Sequence, residues 1–366
     1  MKRTSGRPPS SLHQTDRTAM RTLASAIAAL KKKLGRDLCI MGHHYQNDRV
    51  VAHCDITGDS LELARQVPGI EAAHIVFCGV YFMGESAALL AKPGQAVHLP
   101  APAADCMMSL MSPAGLARRV LEQLTATGRR IVPLAYVNTT LALKAVVGEY
   151  GGAVCTSANA ETMLRWALER GDGVLFLPDK HLGRNTAEKL GLAPEDQHIL
   201  KVSGQGLAEP ESALLGRPLL LWPGCCAIHA RFTPAQVANA RAAHPGCRIT
   251  AHPECRPEVI HVCDAAGSTS FLIKDAARLA EEAPGSTLII GTENNLVARL
   301  AARHAGRCRI LPLGRAFCPD MAKVTEEKLS ATLSAIAQGQ AAPLTVKAAL
   351  CEPARLSLTR MLEACA

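Results

Sequence analysis

RITAHPE, residues 248–254, is a short β-rich run followed by an imidazole, a proline and a carboxylate. LCIMGHHYQ, residues 38–46, is a run of the same kind, ending in Gly42-His43. From these two anchors the chain repeats itself. A hydroxyl follows 17 residues after each histidine, Ser60 after His43 and Thr269 after His252. A second β-rich run then ends in glycine, Gly79 or Gly291, and a cysteine stands 27 residues further on, Cys106 or Cys318. The interval between hydroxyl and glycine differs, at 19 against 22 residues. A looser third copy lies between the two, with Tyr136, Ser157, the run before Pro178 and Cys226, and with an insertion at 147–154.

Working outward, β-rich runs at 38–41, 75–77, 131–135, 174–177, 219–222, 248–251, 288–290 and 309–311 alternate with amphipathic stretches at 114–124, 160–169, 234–243 and 294–304. That alternation predicts βαβ units, hence an α/β fold with parallel sheets and helices on their faces. Ligands of such units bind at the carboxyl ends of the strands. His43, Tyr136 and His252 are therefore expected to face one shared centre, to which each copy brings a cysteine.

Composition excludes several classes. Of 366 residues 48% are hydrophobic and 20% charged, which fits a globular chain, and no apolar run is long enough to span a membrane. The net charge of +8 is carried entirely by residues 1–36, where nine Lys and Arg face Asp16 alone. The remainder is neutral overall, which argues against nucleic acid as a partner. The apolar stretch 23–30 runs into Lys31-Lys32-Lys33, as in an amphipathic first helix with cations at its C-terminal end. A basic arm of about 17 residues is expected before it, and the chain is expected in the cytoplasm.

Fourteen cysteines occur with no CxxC pair, which removes the common zinc-ribbon, thioredoxin and ferredoxin spacings. Three cysteines recurring once per copy suit an iron–sulfur cluster, whose usual ligands are thiolates. Full ligation takes four, so three would leave one iron open, the mark of a catalytic rather than a closed structural site. His43 with Tyr45, and His252 with Glu254, put acid/base groups at two strand ends. The hydroxyls of Thr156-Ser157 and of 267–270 precede helical patterns, as N-caps or as seats for anions at helix N-termini.

An ordered set of stretches then resembles one family. These are GHHYQ (42–46), TGDSLELA (57–64), VFCGVYFMGESA (76–87), AYVNTT (135–140), CTSANA (155–160), LFLPDKHLG (175–183), WPGCCAIHARFT (222–233), HPECRPEVI (252–260), GSTSFLIK (267–274), GTENNLV (291–297) and CPDMAKVTEEKL (318–329). They are similar to quinolinate synthases, the A-protein of bacterial de novo NAD biosynthesis. The resemblance implies three pseudo-threefold-related α/β/α domains around a central iron–sulfur site. It implies condensation of iminoaspartate with dihydroxyacetone phosphate to quinolinate, releasing phosphate and water, and transient contact with the L-aspartate oxidase that supplies iminoaspartate.

By the same resemblance a [4Fe-4S] cluster is held by Cys106, Cys226 and Cys318. Catalysis falls to His43, Tyr45, His252 and Glu254. Substrate contacts fall to His43, Ser60, Tyr136, Val137, Asn138, Ser157, His252, Pro253, Glu254 and Thr269. The expected division is a basic arm and first helix at 1–37, domains at 38–128, 129–245 and 246–335, and a tail at 336–366. Cys225 departs from the family pattern beside Cys226, the interval from Tyr136 to Ser157 is about four residues longer than usual, and the arm and the tail lie outside the resemblance. Two rival classes remain open, a different [4Fe-4S] hydro-lyase and a non-enzymatic iron–sulfur sensor.

Overall fold

A strand buried on both faces shows apolar residues at every position, not alternate ones. The runs at 38–43 and 131–136 are of this kind, and every residue in them is buried. In the computed structural model, which describes residues 12–365 with position 215 excepted, both are central strands of parallel sheets. The first sheet holds β1 (Leu38–His43), β2 (Ile56–Gly58), β3 (His74–Cys78) and β4 (Ala96–His98), in the order β2-β1-β3-β4. In the second region, β5 (Ile131–Tyr136), β6 (Ala153–Cys155), β7 (Gly173–Leu177) and β8 (Gln197–Ile199) are followed by a small antiparallel pair, β9 (Val202–Ser203) and β10 (Gly206–Leu207), and then by β11 (Leu219–Leu221). Its sheet runs β6-β5-β7-β11-β8. The third sheet holds β12 (Arg248–Ala251), β13 (Ala265–Ala266), β14 (Thr287–Gly291) and β15 (Arg309–Pro312), in the order β13-β12-β14-β15.

The three orders are one topology used three times, with β8 added at the edge of the second copy. Each unit enters through the strand beside its edge, crosses to the edge strand, returns to the third position and continues outward. The four-residue helices Asp48–Val51 and Pro257–Ile260 fill the first crossover in the first and third units. The second unit has the nine-residue helix Leu141–Glu149 there, which accounts for the extra length at 147–154.

That longer helix carries the tail. Residues Ala348–Ala364 form a helix, with Pro353 inside it, packed on Leu141–Glu149 and burying Ala354, Leu358 and Met361 in the second core. Gly148 lets the two backbones meet, since a Cβ there would lie on the Pro353 carbonyl oxygen and 2.7 Å from its carbon. Arg360 Nη1 fastens the contact, donating to the carbonyls of Gly148 at 3.0 Å and Gly152 at 2.7 Å. Within the expected tail at 336–366 the chain thus forms a docked helix, because its apolar face has a partner.

The first helix also differs from expectation. It spans Leu12–Leu34, starting inside the stretch expected as a basic arm, and Lys31 anchors it to the His53 carbonyl and to Asp55 Oδ1, both at 2.7 Å. Ile27 is fully buried in the first core, beside Leu329 and Leu333 of the helix Glu326–Ala337. Lys2, Arg3 and Arg7 of the expected arm lie outside the described residues. Among the described residues, no helix is long and apolar enough to cross a membrane.

The cores are built around the sheets, and the third sheet has one on each face. Ile249, Ala251 and Ile289 point to one side, Leu288 and Ile290 to the other, as alternation along a strand requires. The three recurring cysteines sit at the seams between cores. Cys106 packs against the first and second, Cys226 against the second and third, and Cys318 against the third and first.

Candidate active site

Each unit delivers its polar groups from the same places. His43 and Tyr136 end β1 and β5, and His252 directly follows β12. Ser60 is the first residue of the helix Ser60–Gln66, which Asp59 caps, and Thr269 is the first of Thr269–Glu282, which Ser268 caps. Ser157 lies in the turn before Ala160–Leu168, held by Asn159, whose Oδ1 accepts the Thr156 N–H at 2.7 Å. The caps take the N–H groups of Leu61 and Glu62 onto Asp59 and that of Phe271 onto Ser268, and the positive end of each helix dipole remains at these starts.

One cavity at the meeting of the three units is lined by His43, Tyr45, Ser60, Tyr136, Asn138, Ser157, His252, Glu254 and Thr269, together with Cys106, Cys226 and Cys318. Val137 and Pro253 are not among its lining residues. Their backbones hold the turns instead, with the Val137 N–H on the Cys155 carbonyl at 2.7 Å and the Pro253 carbonyl accepting Asn185 Nδ2–H at 2.7 Å. Cys225 is half-buried and does not line the cavity, whereas its neighbour Cys226 does.

Glu254 is the hub. Its Oε2 lies 2.5 Å from His229 Nδ1 and 3.4 Å from His252 Nδ1, and its Oε1 is buried with no partner. Burial alone would raise this carboxyl, but the imidazoles of His229 and His252 outweigh it and hold Glu254 below the ordinary carboxylate range. Burial lowers His43 and His252 to about 3, each helped by a neighbouring imidazole, so both rings are neutral at physiological pH. Burial, then the Glu254 charge, keeps the phenols of Tyr45 and Tyr136 protonated well past their usual range. Tyr45 Oη accepts from Thr269 Oγ1 at 3.1 Å and lies 2.8 Å from Thr292 Oγ1, which joins the first unit to the third.

Sequence reasoning missed His229. It stacks on His252 with ring centroids 4.4 Å apart, and its Nε2 lies 3.1 Å from Thr292 Oγ1. Its place three residues after Cys226, within the quoted WPGCCAIHARFT, was the readable signal. Asp59 and Glu293 also line the cavity. Behind the wall formed by Phe82, Lys144 is wholly buried, with its ammonium 5.2 Å from the Phe82 ring centre and donating to the Thr139 carbonyl. Burial lowers its pKa to about 7.

The donor set fits a metal group. Burial raises the thiol of Cys106 to about 12, and it raises those of Cys226 and Cys318 as well. Three buried thiols stay protonated until a cation compensates them, and thiolates are the donors that select iron–sulfur clusters or zinc. Asn138 Oδ1 and Glu254 Oε1, buried and unpartnered in the same wall, leave acceptors for whatever fills it. A tighter grouping, Cys226 with His229 and Glu254, has its ligand atoms within 4.8 Å of one another.

Comparison with known proteins gives a consistent result. The profile of the family described as Quinolinate synthetase A protein matches residues 25–363, which includes most of the tail helix that the quoted motifs left out. The quinolinate synthase of Acidobacterium capsulatum is 39% identical over 351 residues, covering 92% of this chain and 91% of its own. That of Streptomyces coelicolor is 42% identical over 325 residues, or 87% and 82%. That of Bacillus subtilis is 40% identical over 360 residues, or 97% and 95%.

Proposed function

This chain belongs to the quinolinate synthetase A protein family, and from that premise we propose that it condenses iminoaspartate with dihydroxyacetone phosphate to quinolinate on a [4Fe-4S] cluster held by Cys106, Cys226 and Cys318. It is an enzyme of NAD biosynthesis, and phosphate and water leave in the reaction. The observation that carries the reading is the convergence of one cysteine per unit on a cavity where Glu254 keeps a free, buried oxygen. We read 38–128, 129–245 and 246–335 as the three domains that meet there, and we place the reaction in the cytoplasm, downstream of an enzyme that oxidises L-aspartate.

The bound cluster supplies a Lewis acid, an iron without a protein ligand that polarises a substrate hydroxyl or carbonyl. The remaining work belongs to side chains. Glu254, ionised and with Oε1 unengaged, is the base that removes a proton from carbon. Tyr45, protonated and steadied by Thr269 and Thr292, is the donor to a departing hydroxyl. His43 and His252, neutral through burial, receive and return protons without adding charge. Ser60, Ser157 and Thr269, at or just before helix starts, seat the carboxylates and phosphate with the amide of Asn138.

The test is anaerobic purification and reconstitution, with an iron count and visible spectrum, followed by incubation with dihydroxyacetone phosphate and iminoaspartate generated in place by L-aspartate oxidase. Quinolinate should form and should disappear as air bleaches the spectrum. Protein with an intact cluster that makes no quinolinate would point to another hydro-lyase. The Cys226–His229–Glu254 grouping favours a second reading, a single bound divalent ion. One equivalent of metal with full turnover would establish that reading instead.

A further inference from the structure

The backbone amides of two of the three recurring cysteines are held by acids, and that of the third lies near one. Cys226 N–H donates to Asp179 Oδ2 at 2.9 Å and Cys106 N–H donates to Asp105 Oδ1 at 2.9 Å, while the Cys318 N–H is close enough to the Glu293 carboxylate to favour its ionised form. Asp179 and Glu293 occupy one position of the repeat. Each stands two residues beyond a third strand, β7 ending at Leu177 and β14 at Gly291, and each is the N-cap of the helix that follows. Asp179 Oδ1 takes the N–H groups of His181 at 2.8 Å and Leu182 at 3.0 Å, and Glu293 Oε2 takes that of Asn295 at 2.7 Å. In the first unit the corresponding residue, two beyond Cys78, is Val80, a cap without a side-chain bond, and the acid stands beside the cysteine instead.

Capping alone does not call for these groups. Hydroxyls suffice as caps at Thr140, Thr233, Ser268 and Thr325, although Asp59 caps a further helix with a carboxylate. Asp179 and Glu293 are both 0% exposed, and a carboxylate so deep is costly unless its oxygens are filled. Asp179 joins two segments far apart in sequence, the helix start and the cysteine peptide, and Glu293 caps its helix with the Cys318 peptide beside it.

We propose that Asp179 and Glu293 are positioning residues for the metal centre, each carboxylate tying the peptide of its unit's cysteine to the N-terminus of the helix behind it. The inference rests on Cys226 and Cys318 being ligands. Groups that orient a ligand in this way change metal affinity by about 10–100-fold when replaced.

The experiment measures iron release from anaerobically reconstituted full-length protein to a chelator, with circular dichroism and iron content as checks on fold and loading. Asp179→Asn and Glu293→Gln keep the shape but cannot serve both the helix and the cysteine with oxygen. Each should release iron about tenfold faster or more, with an unchanged circular dichroism spectrum. Thr233→Ala removes only a cap and should release iron at the parent rate. Parent-like release from both acid variants, or equal acceleration by Thr233→Ala, overturns the proposal. If one acid variant fails to fold, the other decides. A Cys226→Ala protein that still assembles a full cluster would show instead that the ligand assignment has failed, and the proposal falls with it.

Discussion

Glu254→Gln keeps the shape of the hub and removes its charge. Oε2 now faces His229 Nδ1 at 2.5 Å, and Oε1 is free. An amide oxygen still accepts from His229, but the bond drops from the charged class, about 1.5–3 kcal/mol, to the neutral class, about 0.5–1.5 kcal/mol. The loss of about 1 kcal/mol is roughly fivefold in an equilibrium constant. At the other position the acceptor becomes an NH2 group, so no base faces the substrate. Losing a general base costs about 10²–10⁴ in rate. The expected result is kcat lower by about 10² or more, KM within about tenfold, and unchanged iron. The assay is quinolinate formation by the anaerobically reconstituted protein under saturating substrate, with iron determined on the same sample. A kcat within about tenfold of the parent would refute the base assignment. So would a loss carried wholly by KM, which would make Glu254 a binding group.

Three further outcomes are expected. Cys106→Ala, Cys226→Ala and Cys318→Ala should each purify without the cluster's visible absorbance, whereas Cys78→Ala, in β3 and fully buried, and Cys225→Ala, outside the cavity wall, should keep it; iron retained by Cys226→Ala but lost from Cys225→Ala would reverse that choice. Gly148→Ala drives a Cβ into the Pro353 peptide and should cost about 1–3 kcal/mol as an overpacked contact, read as a lower urea midpoint and earlier proteolytic release of the tail; parent-like behaviour in both would mean the tail does not pack as described. Burial lowers Lys144 from 10.5 to about 7, so between those values the unfolded chain binds the proton and the native state does not, and stability must rise with pH. Relative to Lys144→Met, the parent should gain up to about 1.4 kcal/mol per pH unit across that window, measured by denaturant titration at several pH values; a difference that stays flat would place the ammonium in a wetter site.

Most strands that sequence reasoning found are those whose burial leaves a nearly continuous apolar run, such as 38–43 and 131–136. Those it missed are the edge strands β2, β4, β6, β8 and β13 and the small pair β9 and β10, all of two or three residues and too short to show a period. The repeat was legible because its markers are chemical: an aromatic or imidazole at a strand end, a hydroxyl at a helix start, a cysteine at a seam. The tail was not, because Pro353 interrupts its pattern and its partner surface lies two hundred residues away in the chain, at Gly148. His229 stayed hidden for a related reason. Its partners Glu254, His252 and Thr292 come from the third unit, and its spacing of three residues from Cys226 was the one local mark.

One unit used three times also sets a stoichiometry. Any group that each unit places at its seam arrives at the centre in triplicate, so the proposed four-iron cluster would meet three thiolates there. Its open position would then follow from the arithmetic of the chain's architecture, with no deleted ligand required. Where the copies differ, with His43, Tyr136 and His252 at equivalent strand ends, a symmetric cradle has distinguishable sides. Under the proposed function, that distinction would let two different small molecules be told apart inside it.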